Sequence, residues 1–595
     1  MTNPTPRQPA ATAAWGDALL AFDTERPGAG RHAGEWVAEA RGGCGTLWRQ
    51  DIAEGWRGFP VRRLPMPGGA LWLIGDLYGA GSDRADGVSA VAAGRRSAAE
   101  LNGHFLLFAW NEAERQWHVW TDRFGTVHAY VASKGEHPRL GTFFPAVAAG
   151  LSRRELDWEG IAGFFAFGFF PQDRTFFRDV RILRPASHVV FDETGKRVSA
   201  ERYWRWRHSP DERRSYRDTV EEFGRILHDV IDDAGSGRLA VPISGGLDSR
   251  TTVAALTRPD RPGDATLWSY SYGYGPHSEE TRIAQRIAAE RSLPFRPLTV
   301  EPYLFDALPR VLSCVEGFQD ATQARQAVVT DLLAAGADRV LAAHWGDVWL
   351  NDMGLSATSG PRESVAAHAA AKIAKRGRDW LLRHVAAPRL SEPAAPVLEQ
   401  MVAAELSTLD DIADPDFRVK AFKTEQWSFR WTLASLRMYQ AGAYPRLPFY
   451  DTRLTDFFAT VPTSFVAGRR LQIDYLKRFA PDLARITWQA FGTNLYWQRH
   501  FDTWLLPWRA ARKMARALRR NGAVAQRNWE VQFSGDGAAR LRATLLARGS
   551  RLHELVSPAE IQSLLDTFEA APLEEGGGYT VSMLLTFSAW LEAHG

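Results

Sequence analysis

The clearest chemistry in the chain is carried by Val241-Pro242-Ile243-Ser244-Gly245-Gly246-Leu247-Asp248-Ser249-Arg250. Two adjacent glycines let the backbone come close to a ligand and permit positive φ. Successive backbone N–H groups there, with the Ser244 and Ser249 hydroxyls and a helix N-terminus behind them, form a nest for an anion. Ile243, Ser244, Gly245, Gly246, Leu247, Asp248 and Ser249 are therefore the expected phosphate-binding set. Asp248 would repel a phosphate unless a cation stood between them, so a nucleotide with Mg2+ is the expected ligand, and Asp248 an expected metal contact. A lone Gly-Gly is an ordinary helix-capping turn. The full Ser-Gly-Gly-Leu-Asp-Ser string after an apolar run is more specific, and no Gly-Lys-Ser/Thr or His-Glu-x-x-His pattern competes with it.

The flanking elements must hold this loop between a strand and a helix. Leu239 to Ile243 is a compact apolar run, and Thr251 to Leu256 continues as helix. Thr266 to Tyr272 and a helix from about Ser278 to Arg291 repeat the pattern, and Arg339 to Ala342 is a third buried strand. Strands alternating with helices predict a parallel α/β sheet. Tyr216 to Ile231 has helical apolar spacing, and the chain beyond about residue 360 reads as mostly helical. The first third differs. Leu71 to Ile74, Phe105 to Trp110, Trp117 to Thr121, and the pair Val189 to Phe191 with Arg197-Val198 read as strands of a mostly antiparallel sheet ending near Tyr203-Trp204. The expected division is 1–206 and 207–595, with His208-Ser209-Pro210-Asp211 as linker.

Composition sets the bounds. Apolar residues make up 45% and charged residues 24% of the 595, which excludes disorder or collagen for most of the length. The net charge of +3 lacks the basic excess of a polyanion binder, so no nucleic-acid partner is expected. Cys44 and Cys314 are the two cysteines, too few for a disulfide framework or a Cys-rich zinc site. Met1 to Ala14 has no apolar core of a secretory signal, and Gly160 to Pro171 is too short to span a bilayer, so a cytoplasmic location is expected. Twenty-three tryptophans leave aromatic-lined pockets as an expectation beyond ordinary core.

The Ser-Gly-Gly-Leu-Asp-Ser string resembles the pyrophosphate loop of ATP pyrophosphatases, and over roughly residues 70 to 500 the chain resembles class B asparagine synthetases. Leu101-Asn102-Gly103-His104-Phe105, Thr121 to Gly125, Tyr130, Phe170-Pro171, Thr175-Phe176-Phe177, Leu183-Arg184-Pro185 and Tyr203-Trp204 are similar to the family's glutaminase domain. Ser269 to Glu279 resembles the adenosine-side segment, which makes Ser271 a nucleotide-site candidate. Ala343-His344-Trp345-Gly346-Asp347 resembles the second phosphate-side loop, with Gly346 at the nucleotide and Asp347 at Mg2+. The resemblance implies an α/β protein: an α+β Ntn-hydrolase-like sandwich, then an α/β ATP-pyrophosphatase domain with a helical C-terminal part. The implied cofactors are ATP and Mg2+.

Three departures matter. The family's glutaminase uses a cysteine at the exposed N-terminus, and position 2 is Thr2, so glutamine hydrolysis loses its thiolate route. His344 falls where asparagine synthetases place a glutamate and the related β-lactam synthetases a tyrosine; its ordinary pKa near 6.5 suits a base for the attacking amine, against the bland reading of a satisfied loop histidine. Ala490, within Trp488 to Gly492, stands near the family's synthetase-site lysine, whose charge Lys477, Arg478 or Arg485 would replace; Lys477 is the candidate taken. Arg446 to Asp451 resembles the family's Arg-x-Pro-Phe-x-Asp element, and Asp451 with Arg453 reads as a structural ion pair.

The implied activity is an AMP-forming carbon–nitrogen ligase. It would join a small-molecule or peptide carboxylate to ammonia or an amine, as in amidation of a surface-polysaccharide sugar acid. Alternatives are macrolactam closure as in lasso-peptide cyclases, glutamine-dependent asparagine synthesis, and a non-catalytic ATP-binding scaffold. Trp504 to Trp508 precedes six basic residues at three- and four-residue spacing from Arg509 to Arg520, which gives 504–520 two readings, a peripheral membrane contact or a solvated helix face. A homodimer is a further expected assembly.

Overall fold

Gly69–Leu77 and Gly103–Asn111 form nine-residue strands whose alternate side chains Leu71, Leu73, Leu107 and Ala109 share a core with Val88 and Val91 of the helix Asp83–Ala92. This computed structural model describes residues 14–594 except 24–25, 29, 32–33, 43–44, 52–55, 80–82, 133–137, 235–236, 263–264, 276–277, 356–364, 501–502, 520–526 and 575. Thr2 and Cys44 lie outside the described residues. After Asn111 the polar turn is fixed by the Asn111 amide oxygen, which accepts from the N–H of Ala113 (3.1 Å) and Glu114 (3.2 Å). The chain then returns antiparallel as Gln116–Thr121.

These strands belong to a seven-stranded sheet in the order Ala14–Gly16, Phe59–Leu64, Gly69–Leu77, Gly103–Asn111, Gln116–Thr121, Ser187–Asp192, Arg197–Arg202. A second antiparallel sheet runs through Tyr130–Ala132, Arg139–Gly141, Ala18–Ala21, Gly45–Gln50 and Trp36–Gly42. All the strands expected from the sequence in this region form.

The chain divides into two compact units, Met1–Ser152 with Ile182–Trp204, and Arg153–Arg181 with Arg205–Gly595. A single cut after 206 does not describe this: Arg153–Arg181 belongs to the second unit. Its apolar helix Trp158–Phe167 and the following phenylalanines find their partners there. Phe176 stacks on Trp590 with centroids 3.7 Å apart, Phe165 meets Phe587 edge-on at 5.3 Å, and Phe170 meets Phe318 at 5.6 Å. The C-terminal helix Gly577–His594, which supplies Phe587 and Trp590, is thereby part of the second core.

The second unit is built on a five-stranded sheet, parallel throughout, in the order Phe295–Thr299, Thr266–Gly273, Arg238–Pro242, Arg339–Leu341, Tyr444–Arg446. The central strand buries Leu239, Ala240 and Val241 almost completely, as a strand covered on both faces must. The helices Tyr216–Asp232, Asp248–Leu256 and Glu279–Glu290 alternate with these strands. The first is capped by Ser215 and buries Val220, Phe223, Leu227 and Val230 at helical spacing. From Val365 onward most elements are helical. The α/β class and the helical C-terminal part agree with the sequence reading. No helix among the described residues is long and apolar enough to cross a membrane.

Candidate active site

The strand Arg238–Pro242 ends at the phosphate-loop string, and the helix Asp248–Leu256 starts at Asp248. The loop is shaped from within. The Ser244 N–H donates to Ser249 Oγ at 3.0 Å, the Gly246 N–H donates to Ser244 Oγ at 3.2 Å, and the two hydroxyls are 3.1 Å apart. Neither Gly245 nor Gly246 has a positive φ. The reason for glycine is space instead: a Cβ on Gly245 would come 2.5 Å from Gln489 Oε1, and one on Gly246 3.2 Å from Ser244 Oγ.

A cavity of about 230 Å³ opens beside the loop. Of the residues expected from the sequence, Ile243, Ser244, Asp248, Ser249, Ser271, His344 and Asp347 line it. Gly245, Gly246 and Leu247 are in the loop but not in the wall. Gly346 is packed behind it, where a Cβ would come 2.8 Å from Phe449 Cε2 and 3.0 Å from Asp248 Cγ. The preceding Trp345 has φ +76, the left-handed turn that brings the Gly346–Trp349 helix up to Asp248.

Lys477 is not part of the cavity. It lies on the helix Arg470–Phe479, whose apolar face buries Leu471, Ile473 and Leu476, and its ammonium is 3.3 Å from Asp474, three residues earlier. The cation that reaches the loop is Arg469, in left-handed conformation just ahead of that helix. Its Nη1 donates to Asp248 Oδ1 at 2.8 Å, and Gln472 Nε2 donates to the same oxygen at 3.0 Å. Sequence reasoning also missed Arg325, Glu280 and Tyr439, and named the segment 269–279 without singling out its Tyr270 and Tyr272; all five are in the cavity wall.

Electrostatics follow from this crowding. Burial raises the Asp248 pKa; Arg469 opposes the rise, and the like charge of Asp347 adds to it. Two carboxylates lining one cavity suit a divalent cation, and their oxygens are the donors Mg2+ prefers. Among the described residues no group of three or more His, Cys, Asp or Glu is placed to hold a metal, so nucleotide and water oxygens would complete the shell. His344 is pushed down to about 4, first by burial and then by the Arg325 charge, so the imidazole is neutral at pH 7. Its Nδ1 is buried, and among the described residues it has no hydrogen-bond partner.

Residues 234–482 match the asparagine synthase family model. Residues 88–204 match a glutamine amidotransferase domain. No curated protein matches the chain. Among solved structures, an allosteric regulatory enzyme of purine biosynthesis is 10% identical, covering 49% of this chain and 76% of its own with a TM-score of 0.20. Glutamine phosphoribosylpyrophosphate amidotransferase from B. subtilis, complexed with ADP and GMP, is 13% identical, covering 55% and 75% with a TM-score of 0.19. The chain thus has the architecture of a glutamine amidotransferase-like domain followed by an ATP-pyrophosphatase domain, and it is an ATP-binding, ligase-type enzyme.

Asp451, expected to be structural, accepts from Arg446 Nη2 and from Arg453 Nε, each at 2.9 Å, and the two arginines hold its carboxyl down to about 2 against the opposing effect of burial. The segment 504–520 contains the helix Leu506–Arg519, with Trp504, Leu506, Trp508 and Met514 exposed. The side chains of its six basic residues lie outside the described ones.

Proposed function

We propose that this enzyme adenylates a substrate carboxylate and passes the acyl group to ammonia or an amine. The observation that carries this reading is the pairing of Asp248 and Asp347 in one cavity with the Ser244–Ser249 loop. The carboxylate oxygen bonds to the α-phosphorus as the bond to the β-phosphate bridge breaks, and pyrophosphate leaves. The amine nitrogen then bonds to the acyl carbon, the acyl–oxygen bond breaks, AMP leaves, and the nitrogen loses its surplus proton.

Ser244 and Ser249, which line the cavity, would hold the departing pyrophosphate at the N-terminus of the helix Asp248–Leu256. Asp248 and Asp347 would hold Mg2+, which when bound neutralises charge on the phosphate oxygens. Arg469 fixes Asp248 in place, and Arg325 offsets charge in the same cavity. His344, being neutral, is free to accept a proton from nitrogen. With a pKa near 4 it is a weak base toward a free ammonium ion, but nitrogen that has added to an acyl carbon is far more acidic. We take the acyl substrate to be a small carboxylate, such as a sugar acid.

The test is release of AMP and pyrophosphate by the purified protein given Mg2+-ATP and a low-molecular-weight cell extract, with and without ammonium. Ammonium-dependent AMP supports the reading with ammonia as donor, and AMP without ammonium supports it with an amine-bearing substrate. Turnover unchanged by Asp248→Asn would sink it.

A further inference from the structure

A second cavity of about 380 Å³ lies in the same unit and shares Arg325 with the nucleotide cavity. Among the described residues four cations line it, Arg325, Lys375, Arg376 and Arg527, against one carboxylate, Asp320. Asp320 is already engaged: its Oδ1 accepts from the Thr322 N–H and hydroxyl, each at 2.9 Å, and from the Ser582 hydroxyl. Lys375 is half-buried, and among the described residues no carboxylate stands within ion-pair distance of its ammonium. Instead Nζ lies 4.8 Å from the Trp427 ring centroid and 5.3 Å from that of Trp431, two indoles presented four residues apart by the π-helical segment Thr424–Thr432.

The row continues toward the nucleotide. Lys423 Nζ lies 4.9 Å from the same Trp427 ring centroid and 5.7 Å from that of Trp345, which lines the first cavity. Burial lowers the pKa of both lysines, so each ammonium is held at a cost that an incoming anion would offset. The wall is built for this shape. Gly168 has φ +80, and a Cβ there would come 2.8 Å from Lys375 Cε; a Cβ on Gly578 would come 2.3 Å from the Trp529 ring.

We propose that this cavity is a subsite for a second oxyanionic group of the acyl substrate, a carboxylate or a phosphate remote from the carboxylate that meets ATP, with Lys375 as its main counter-charge. The word substrate rests on the ligase reading; the binding of an oxyanion does not. The enzyme would therefore select polyanionic acids over monocarboxylates.

The experiment uses the full chain with Mg2+ and α,β-methylene-ATP filling the first cavity, and again without nucleotide. Glutarate is titrated in one arm and inorganic phosphate in the other, followed by tryptophan fluorescence and melting temperature. Trp431 and Trp529 line the cavity, so two of the twenty-three indoles contribute a signal from it, and the Tm arm checks that signal. At least one anion should saturate the signal and raise Tm. Lys375→Met should weaken that anion about tenfold, the loss of one charge-assisted contact, and Lys375→Arg should restore most of it. Arg527→Gln, at an exposed position, should weaken it roughly two- to fivefold and carries the test if Lys375→Met does not fold. Saturation by glutarate assigns a second carboxylate, and saturation by phosphate assigns a phosphate ester. Binding of neither anion to the unaltered protein, or equal affinity in all variants, overturns the proposal. Failure of the nucleotide analogue to bind would count against the ligase reading alone, because the nucleotide-free arm still decides the subsite.

Discussion

Arg469 and Gln472 both donate to Oδ1 of Asp248, at 2.8 and 3.0 Å, and among the described residues no hydrogen bond reaches Oδ2. The loop carboxylate is thus clamped by one oxygen and offered by the other. Burial and Asp347 raise its pKa while Arg469 pulls it down. Asp248→Asn should cost about 100-fold or more in AMP release, the scale of a lost electrostatic contact at a reacting phosphate. Arg469→Gln should be milder and pH-dependent. Without the guanidinium the carboxyl protonates at higher pH, so the acid limb of the rate profile moves upward. A limb that does not move would separate Arg469 from Asp248 titration.

His344 gives a second prediction. Since its pKa is about 4, it should show no titration between pH 6 and 7 by nitrogen-resolved NMR. Arg325→Gln removes a charge that disfavours the imidazolium, so the midpoint should rise. A midpoint near the ordinary 6.5 in the unaltered protein would contradict the burial.

Gly346→Ala tests the packing behind the loop. The added methyl would meet Phe449 and Asp248, so the carboxylate must shift while the surrounding helices stay folded. AMP release should fall about tenfold or more, because placement errors near 1 Å are costly. The circular dichroism spectrum should remain that of the unaltered protein.

The Arg446–Asp451–Arg453 cluster should act on stability. Asp451 falls from an unfolded value near 3.8 to about 2, which corresponds to about 2 kcal/mol. That contribution is complete above pH 4 and is lost as pH drops through 2. Asp451→Asn should therefore lower Tm at pH 7, and its deficit against the unaltered protein should shrink between pH 4 and pH 2.

What could be read beforehand was what lies contiguous in the chain. The phosphate loop, Asp347 and His344 each sit in a local string after an apolar run, and all reach the cavity. Arg325 gave no such pattern: it comes from the short 3-10 turn Arg325–Val329, and tertiary packing alone brings it in. Lys477, taken from three nearby cations to replace a missing lysine charge, lies outside the cavity, because proximity in sequence does not say which cation faces it. Next to Ala490, it is Gln489 whose side chain packs against Gly245, a contact the sequence did not show. The strand Phe295–Thr299 was missed because prolines at 294 and 297 and the charge of Arg296 argue against a central strand, and it is indeed at the sheet edge. Arg153–Arg181 packs with the second compact unit, which the sequence did not show, since the partners of Phe165 and Phe176 lie some four hundred residues onward in Phe587 and Trp590.

The central claim is that this cavity breaks ATP between the α and β phosphates. Phosphorus NMR of the nucleotide products, with Mg2+ and an extract of small carboxylates, tests it most directly. AMP with pyrophosphate in the unaltered protein, absent from Asp248→Asn, is the predicted result. ADP with orthophosphate, or intact ATP from a protein that binds it, would contradict it.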